Sequence, residues 1–362
     1  MRTALEVPAD YPPLRRAFTP DDQVTIVVDE RLPHLVELLV PLLEHITQAG
    51  VAPSAVTLLC PRSESRQEWL EDLPDSFQDV RCQVHAPGDR KQLRYLATTK
   101  GGRRLYLSSA AVDADQVVVL SGRGYDPRLG YCGAEGSLFP ALSDEATLAE
   151  TNHRLSMAAP DQSTWPLRGE ASEAAWLLGA PFFVQVIPGE GDDIAAVVAG
   201  PSGSSAKGEQ ELDSRWRRII ANTARTVVAT VSGDPARLGF AEMATAAASA
   251  ARVVQSGGRI ILLMRGATDL GPAGELIRQA ESAEQALALL NKHKPLEMAA
   301  AFLWASAAQS ARIYLLSDFS SEIVEEMFAV PLDDVRQIQR LLEEPGSILI
   351  LNDAHKTMAT TE

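Results

Sequence analysis

VVVLSGRGYDPRLGYCGAEGSLFPALSDEATLAETNH, residues 117–153, has the pattern of a strand, a ligand-binding loop and a helix of an α/β protein. A run of β-branched residues empties into a Gly-rich loop, followed by Pro140, an acidic turn and a helical pattern that carries His153. A buried strand with a loop of small residues at its carboxyl end is how an α/β protein brings backbone amides and a few side chains to a ligand.

The flanking sequence repeats that alternation. VTIVVD (24–29) reads as a strand running into a polar turn, and LVELLVPLLEHITQAG (35–50) has apolar residues at helical spacing and closes on Gly50. AVTLLC (55–60) is the next strand, so the three form a right-handed βαβ unit of a parallel sheet. RCQVHAP (81–87) and RRLYLSS (103–109) are shorter strands, with LRYLATTKGG (93–102) between them as a helix or turn. FFVQVIP (182–188) and IAAVVAG (194–200) read as a hairpin, an antiparallel edge on an otherwise parallel sheet. PSGSSAKGEQ (201–210) has the composition of a linker, and SRWRRIIANTAR (214–225) reads as helical. A second strand series follows in TVVATVSGDP (226–235), RIILLM (259–264), SARIYLLSD (310–318) and SILILND (347–353). Helices fall at 241–258, 275–291 and 333–344. The expectation is an α/β protein of two lobes, each a mostly parallel sheet with flanking helices, with domains at 1–222 and 223–362 and a ligand cleft between them.

Composition narrows the function. A chain of 362 residues can bury a large core, and its net charge of −15 disfavours nucleic acid and anionic membrane as partners. The three cysteines, Cys60, Cys82 and Cys132, include no CxxC, which speaks against a disulfide framework or a structural zinc site. With no apolar signal segment at the N-terminus and no apolar run of membrane-spanning length, a cytoplasmic location is expected.

With the turns placed, the pattern resembles the nickel-pincer-dependent lactate racemases and related 2-hydroxyacid racemases and epimerases. The family's first strand ends in Asp-x-Thr-Arg-Pro; Asp29-Glu30-Arg31-Leu32-Pro33 keeps Asp29 and Pro33 and has Leu32 at the arginine position. The family's Gly-Thr-His-Arg turn after the second strand corresponds to LLCPRSES, which puts Glu64 near the place of a catalytic histidine. In the third signature, Gly130 to Pro140 keeps the family spacing, Asp126 falls on the second catalytic histidine, and Gly136 falls on the lysine that binds the cofactor covalently. His153 aligns, with a slip of one residue, to the nickel-ligating histidine. The second-lobe pattern Gly-Gly-x-Pro becomes Ser232-Gly233-Asp234-Pro235.

The resemblance implies racemisation or epimerisation of a 2-hydroxy acid: a base takes the hydroxyl proton, hydride moves to the nickel-pincer nucleotide, and it returns to the other face. The carried-over roles are acid–base chemistry for Glu64 and Asp126, cofactor binding for Asp29, Gly130, Gly133 and Gly136, and metal ligation for His153. An unperturbed carboxylate is a weaker base than histidine at neutral pH, so burial would have to raise the two carboxyl pKa values. The other reading is a catalytically degenerate paralogue that binds a small anionic ligand or a partner protein. The glycine turns at 130–136 and 232–234 can form amide nests for a carboxylate or phosphate, although neither matches GxGxxG or a P-loop. Cys132 reads as a small turn residue, Lys292, His293 and Lys294 as a solvated helix end, and Trp165, Trp176 and Trp304 as packing residues.

Overall fold

Strands that are buried on both faces need no polar alternation, and VTIVV at residues 24–28 is buried at every position. A computed structural model of the chain describes residues 1–61, 67–295 and 297–362. They fall into two units: Met1–Leu148 with Trp165–Gly189 and Asp193–Leu212, and Ala149–Thr164 with Glu190–Asp192 and Asp213–Glu362.

In the first unit the strands are β1 (Val24–Val28), β2 (Val56–Cys60), β3 (Arg81–Val84), β4 (Leu93–Thr98), β5 (Arg104–Ser108), β6 (Gln116–Gly122), β7 (Gly124–Asp126), β8 (Gly130–Cys132), β9 (Phe182–Pro188) and β10 (Ile194–Pro201). The main sheet has the order β10-β9-β6-β1-β2-β3 and is parallel except at β10, which pairs antiparallel with β9. Leu35–Gln48 is the crossover helix from β1 to β2, and its Leu38, Leu39, Leu42 and Ile46 stripe packs on Ile26 and Leu58 within one core. β4 and β5 form a separate antiparallel hairpin, where a helix or turn was expected at 93–102. Its Tyr95–Tyr106 contact, at 5.6 Å between ring centroids, supplies the cross-strand aromatic pair that favours a ribbon.

The second unit contains β11 (Arg217–Ile220), β12 (Ala224–Thr230), β13 (Val254–Leu263), β14 (Arg312–Leu316), β15 (Ala329–Pro331), β16 (Ile348–Leu351) and β17 (Met358–Thr361). Its five-stranded sheet, β15-β14-β13-β12-β16, is parallel throughout. The alanine-rich helices Phe240–Ala251 and Met298–Ser310 pack in the larger core with Val227 and Ile260. The other sheet face, with Val228 and Ile261, is covered by the helix Val335–Glu343 through Ile338. Small side chains let the helix axes approach closely, and Trp304 fills the space they leave, with its indole N–H donating to the Met327 carbonyl at 2.9 Å.

Several local readings are corrected. The stretch 201–210 is not a linker: it continues into the helix Ser205–Trp216, within which the division between the units falls. The chain leaves that helix as β11, not as more helix, because Arg217–Ile220 pairs in parallel with β17. That pairing, and the assignment of Ala149–Thr164 to the second unit, moves the division away from residue 222. The helix Glu145–Thr151 ends before His153, which lies in the following turn. Trp176 is 71% exposed and packs in no core.

Trp304→Ala is expected to destabilise the second unit by about 3–5 kcal/mol. The exposed change Trp176→Ala should cost less than about 0.5 kcal/mol. Urea denaturation of the two variants separates these outcomes.

Candidate functional site

The order of the first-unit sheet reverses between β1 and β6: β2 and β3 lie on one side of that pair, β9 and β10 on the other. Open parallel sheets offer a crevice at such a point, outside the carboxyl ends of the strands. A cavity of about 190 Å³ lies there, with Asp29, Arg31, Asp126, Arg128 and Cys132 among its lining residues and Gly122, Gly133 and Gly136 in its wall.

Asp29 follows β1 directly. Its Oδ2 accepts the N–H of Gly122 at 3.3 Å, its Oδ1 accepts the N–H of Arg31 at 3.2 Å, and the Arg31 guanidinium stands 3.8 Å from Oδ1. One carboxylate thus ties the ends of the two strands that frame the cavity. Gly133 closes the loop against the same point: it sits at φ +78°, and a Cβ there would stand 2.3 Å from the Gly122 carbonyl oxygen. The next amide, Ala134 N–H, donates to Ser121 Oγ at 2.9 Å. The Gly-rich loop is therefore built by close backbone approach, and that amide serves the fold.

Asp126 ends β7, and its carboxylate is enclosed by its own turn. Oδ1 accepts the N–H groups of Arg128 at 2.7 Å and Leu129 at 3.1 Å, while Arg128 Nη2 donates to Oδ2 at 2.9 Å. Burial pushes this carboxyl pKa up, but the Arg128 charge and these hydrogen bonds outweigh burial and hold it below the ordinary range. That direction is opposite to the rise a carboxylate needs to act as a base near neutral pH. Burial pushes the Cys132 thiol up to about 11, so it is protonated at neutral pH, consistent with a turn residue.

The sequence-read site is only partly gathered here. Asp29, Asp126, Gly133 and Gly136 line the cavity, and Gly130 begins β8 at φ +80°. His153 belongs to the second unit, where its Nδ1 is buried with no hydrogen-bond partner among the described residues. Glu64 lies outside the described residues. Among the described residues, no three His, Cys, Asp or Glu side chains are grouped to hold a metal. In the 232–234 turn, Ser232 N–H donates to Asp353 Oδ1 at 3.2 Å and Asp234 N–H to Asp192 Oδ2 at 2.7 Å, so the expected amide nest already holds the chain's own carboxylates.

Three arginines escaped the sequence reading. Arg31 and Arg128 line the cavity, the Arg128 guanidinium donating to Asp126 through both Nε and Nη2. Arg123, whose side chain is 1% exposed, donates to the Cys132 carbonyl at 2.9 Å and pairs with Glu209 at 3.0 Å, which clamps β8 from behind. Glu209 also pairs with Arg168. An arginine just after a core strand was the available signal, but its partner lies on a helix far along the chain.

Residues 1–165 match the family described as the lactate racemase N-terminal domain. The fold of the chain matches the lactate racemase apoprotein from Thermoanaerobacterium thermosaccharolyticum at a TM-score of 0.84 and 18% identity, covering 99% of this chain and 91% of that one. A protein from Thermotoga maritima matches at a TM-score of 0.67 and 12% identity, covering 94% and 93% respectively. No curated protein sequence matches the chain.

The pincer nucleotide implied by the family does not fit this donor set as a covalently held group. Gly136, to which the resemblance assigns the place of the attaching lysine, has no amine, and a Cβ there would stand 2.9 Å from a Leu129 methyl. The cavity is also smaller than the roughly 300–1,000 Å³ typical of cofactor and drug-sized sites.

Because the folded pKa of Asp126 lies below the unfolded value of about 3.9, its pairing with Arg128 stabilises the fold above that pH. The contribution is lost as pH falls through the folded pKa. Arg128→Gln is therefore expected to cost about 1–3 kcal/mol at pH 7, and progressively less below about pH 4, in urea denaturation across pH.

Proposed function

We propose that the first-unit cavity binds a small 2-hydroxy acid or a similar carboxylate, and that the protein does not turn it over through a covalently held pincer cofactor. The observation that carries the reading is the cavity wall itself: Arg31 lines it beside an Arg128 already paired with Asp126, while Gly136, the place the resemblance gives to the attaching lysine, offers no amine. A guanidinium is the side chain best suited to a planar carboxylate. Asp29 lies beside Arg31 and offers acceptor oxygens for the ligand's hydroxyl. About 190 Å³ suits a molecule of that size.

Inversion at a carbinol carbon needs a proton acceptor on each face. Asp126 is engaged by Arg128 and by two backbone N–H groups, which leaves it a poor acceptor at neutral pH. Recognition without inversion is the function this geometry supports best.

Calorimetric titration with D- and L-lactate and larger 2-hydroxy acids tests the reading. Binding of at least one is expected, weakened about tenfold, or about 1.4 kcal/mol, by Arg31→Ala. The absence of binding to every acid, or interconversion of enantiomers by the purified protein in a chiral separation, would overturn it.

A further inference from the structure

The second unit has a switch point of its own. β12 is joined in sequence to β13 and then β14 on one side, while β16 returns on the other, so the crevice lies outside the carboxyl ends of β12 and β16. The residues just beyond those ends are Ser232 and Asp353, and the Asp353 carboxylate sits within a ring of donors. Its Oδ1 accepts the Ser232 N–H at 3.2 Å and the Ser232 hydroxyl. Its Oδ2 accepts the Gly191 N–H at 3.0 Å, and Lys356 Nζ stands 3.6 Å away. Lys356 is in turn held over the Trp216 ring, 5.5 Å from its centroid.

Two amides and a hydroxyl donating to one carboxylate, with an ammonium nearby that itself donates to the Gly191 carbonyl, form the donor set of an anion site. Here the anion is part of the chain. It is delivered from a residue at φ +46°, a left-handed conformation that, after glycine, aspartate and asparagine adopt most readily. Burial opposes the charge, yet Ser232, Gly191 and Lys356 outweigh it and hold the Asp353 carboxyl below its usual range. Asp353 is 4% exposed, so its neighbours, not water, satisfy it.

We propose that the switch point of the second unit is a binding site for small monocarboxylates which the chain fills with its own Asp353 as a tethered ligand. Because the folded backbone holds the resident carboxylate in place, its effective concentration exceeds that of millimolar free acids. The native chain therefore keeps this crevice closed, and removing the Asp353 side chain opens it.

The test is chemical rescue. Asp353→Gly keeps the left-handed backbone accessible and deletes the carboxylate; because glycine also loosens the unfolded chain, the readout is the response to added formate and not the loss of stability itself. Scanning calorimetry of this variant in sodium formate should show a Tm rise of about 3–6 °C at a formate concentration tenfold above its Kd. Sodium chloride at equal ionic strength should give no such rise, wild type should not respond to formate, and adding Ser232→Ala should diminish the response. A folded Asp353→Gly that ignores formate, responds equally to chloride, or matches a formate response in the wild type would overturn the proposal. If Asp353→Gly does not fold, Asp353→Asn keeps the volume and one acceptor oxygen. It should then melt below wild type and show no formate response, because the site stays filled. An Asn variant as stable as wild type would contradict the donor ring's preference for a carboxylate.

Discussion

The carboxylate of Asp29 fixes the carboxyl ends of β1 and β6 by accepting the Gly122 N–H across the point where the strand order reverses. With that distance set, the Gly122 carbonyl becomes the surface on which Gly133 packs, at a separation that leaves no room for a Cβ. The loop from Gly122 to Gly136 then takes a single path, held from behind by Arg123 on the Cys132 carbonyl. Cavity shape, the enclosed Asp126 and the positions of the two lining arginines all depend on this arrangement. The loop is set by close backbone approach at Gly133, where a side chain would not fit.

The two units resolve the same topological problem with the same chemistry. In each, a carboxylate just beyond a strand end binds an amide at or just past the end of its neighbour: Asp29 on Gly122, the last residue of β6, and Asp353 on Ser232, just past β12. The difference lies in what remains. The first unit keeps a cavity beside its carboxylate, whereas Asp353 draws in Ser232, Gly191 and Lys356 until its oxygens are satisfied.

The parallel sheets were legible because strands buried on both faces leave unbroken apolar runs such as VTIVV and QVVVLSG. The βαβ order and the β9–β10 hairpin followed from turn chemistry. The β4–β5 ribbon was not legible: its glycine pair and mixed composition suit a helix end as well as a hairpin, and only the pairing partner decides. Within the site, Asp29 and the glycines were visible because strand ends and backbone approach leave local signatures. The charge state of Asp126 was not, since it turns on an Arg128 guanidinium two residues away folding back onto it. The pairing of Asp353 with Ser232 joins parts of the chain that no local pattern connects.

The proposed recognition in the first-unit cavity needs no covalently attached cofactor. Its most direct test is the intact mass, under denaturing conditions, of the full chain co-produced with the enzymes that synthesise the pincer nucleotide. The account predicts the mass of the unmodified polypeptide. An adduct of nucleotide mass that survives denaturation would contradict it.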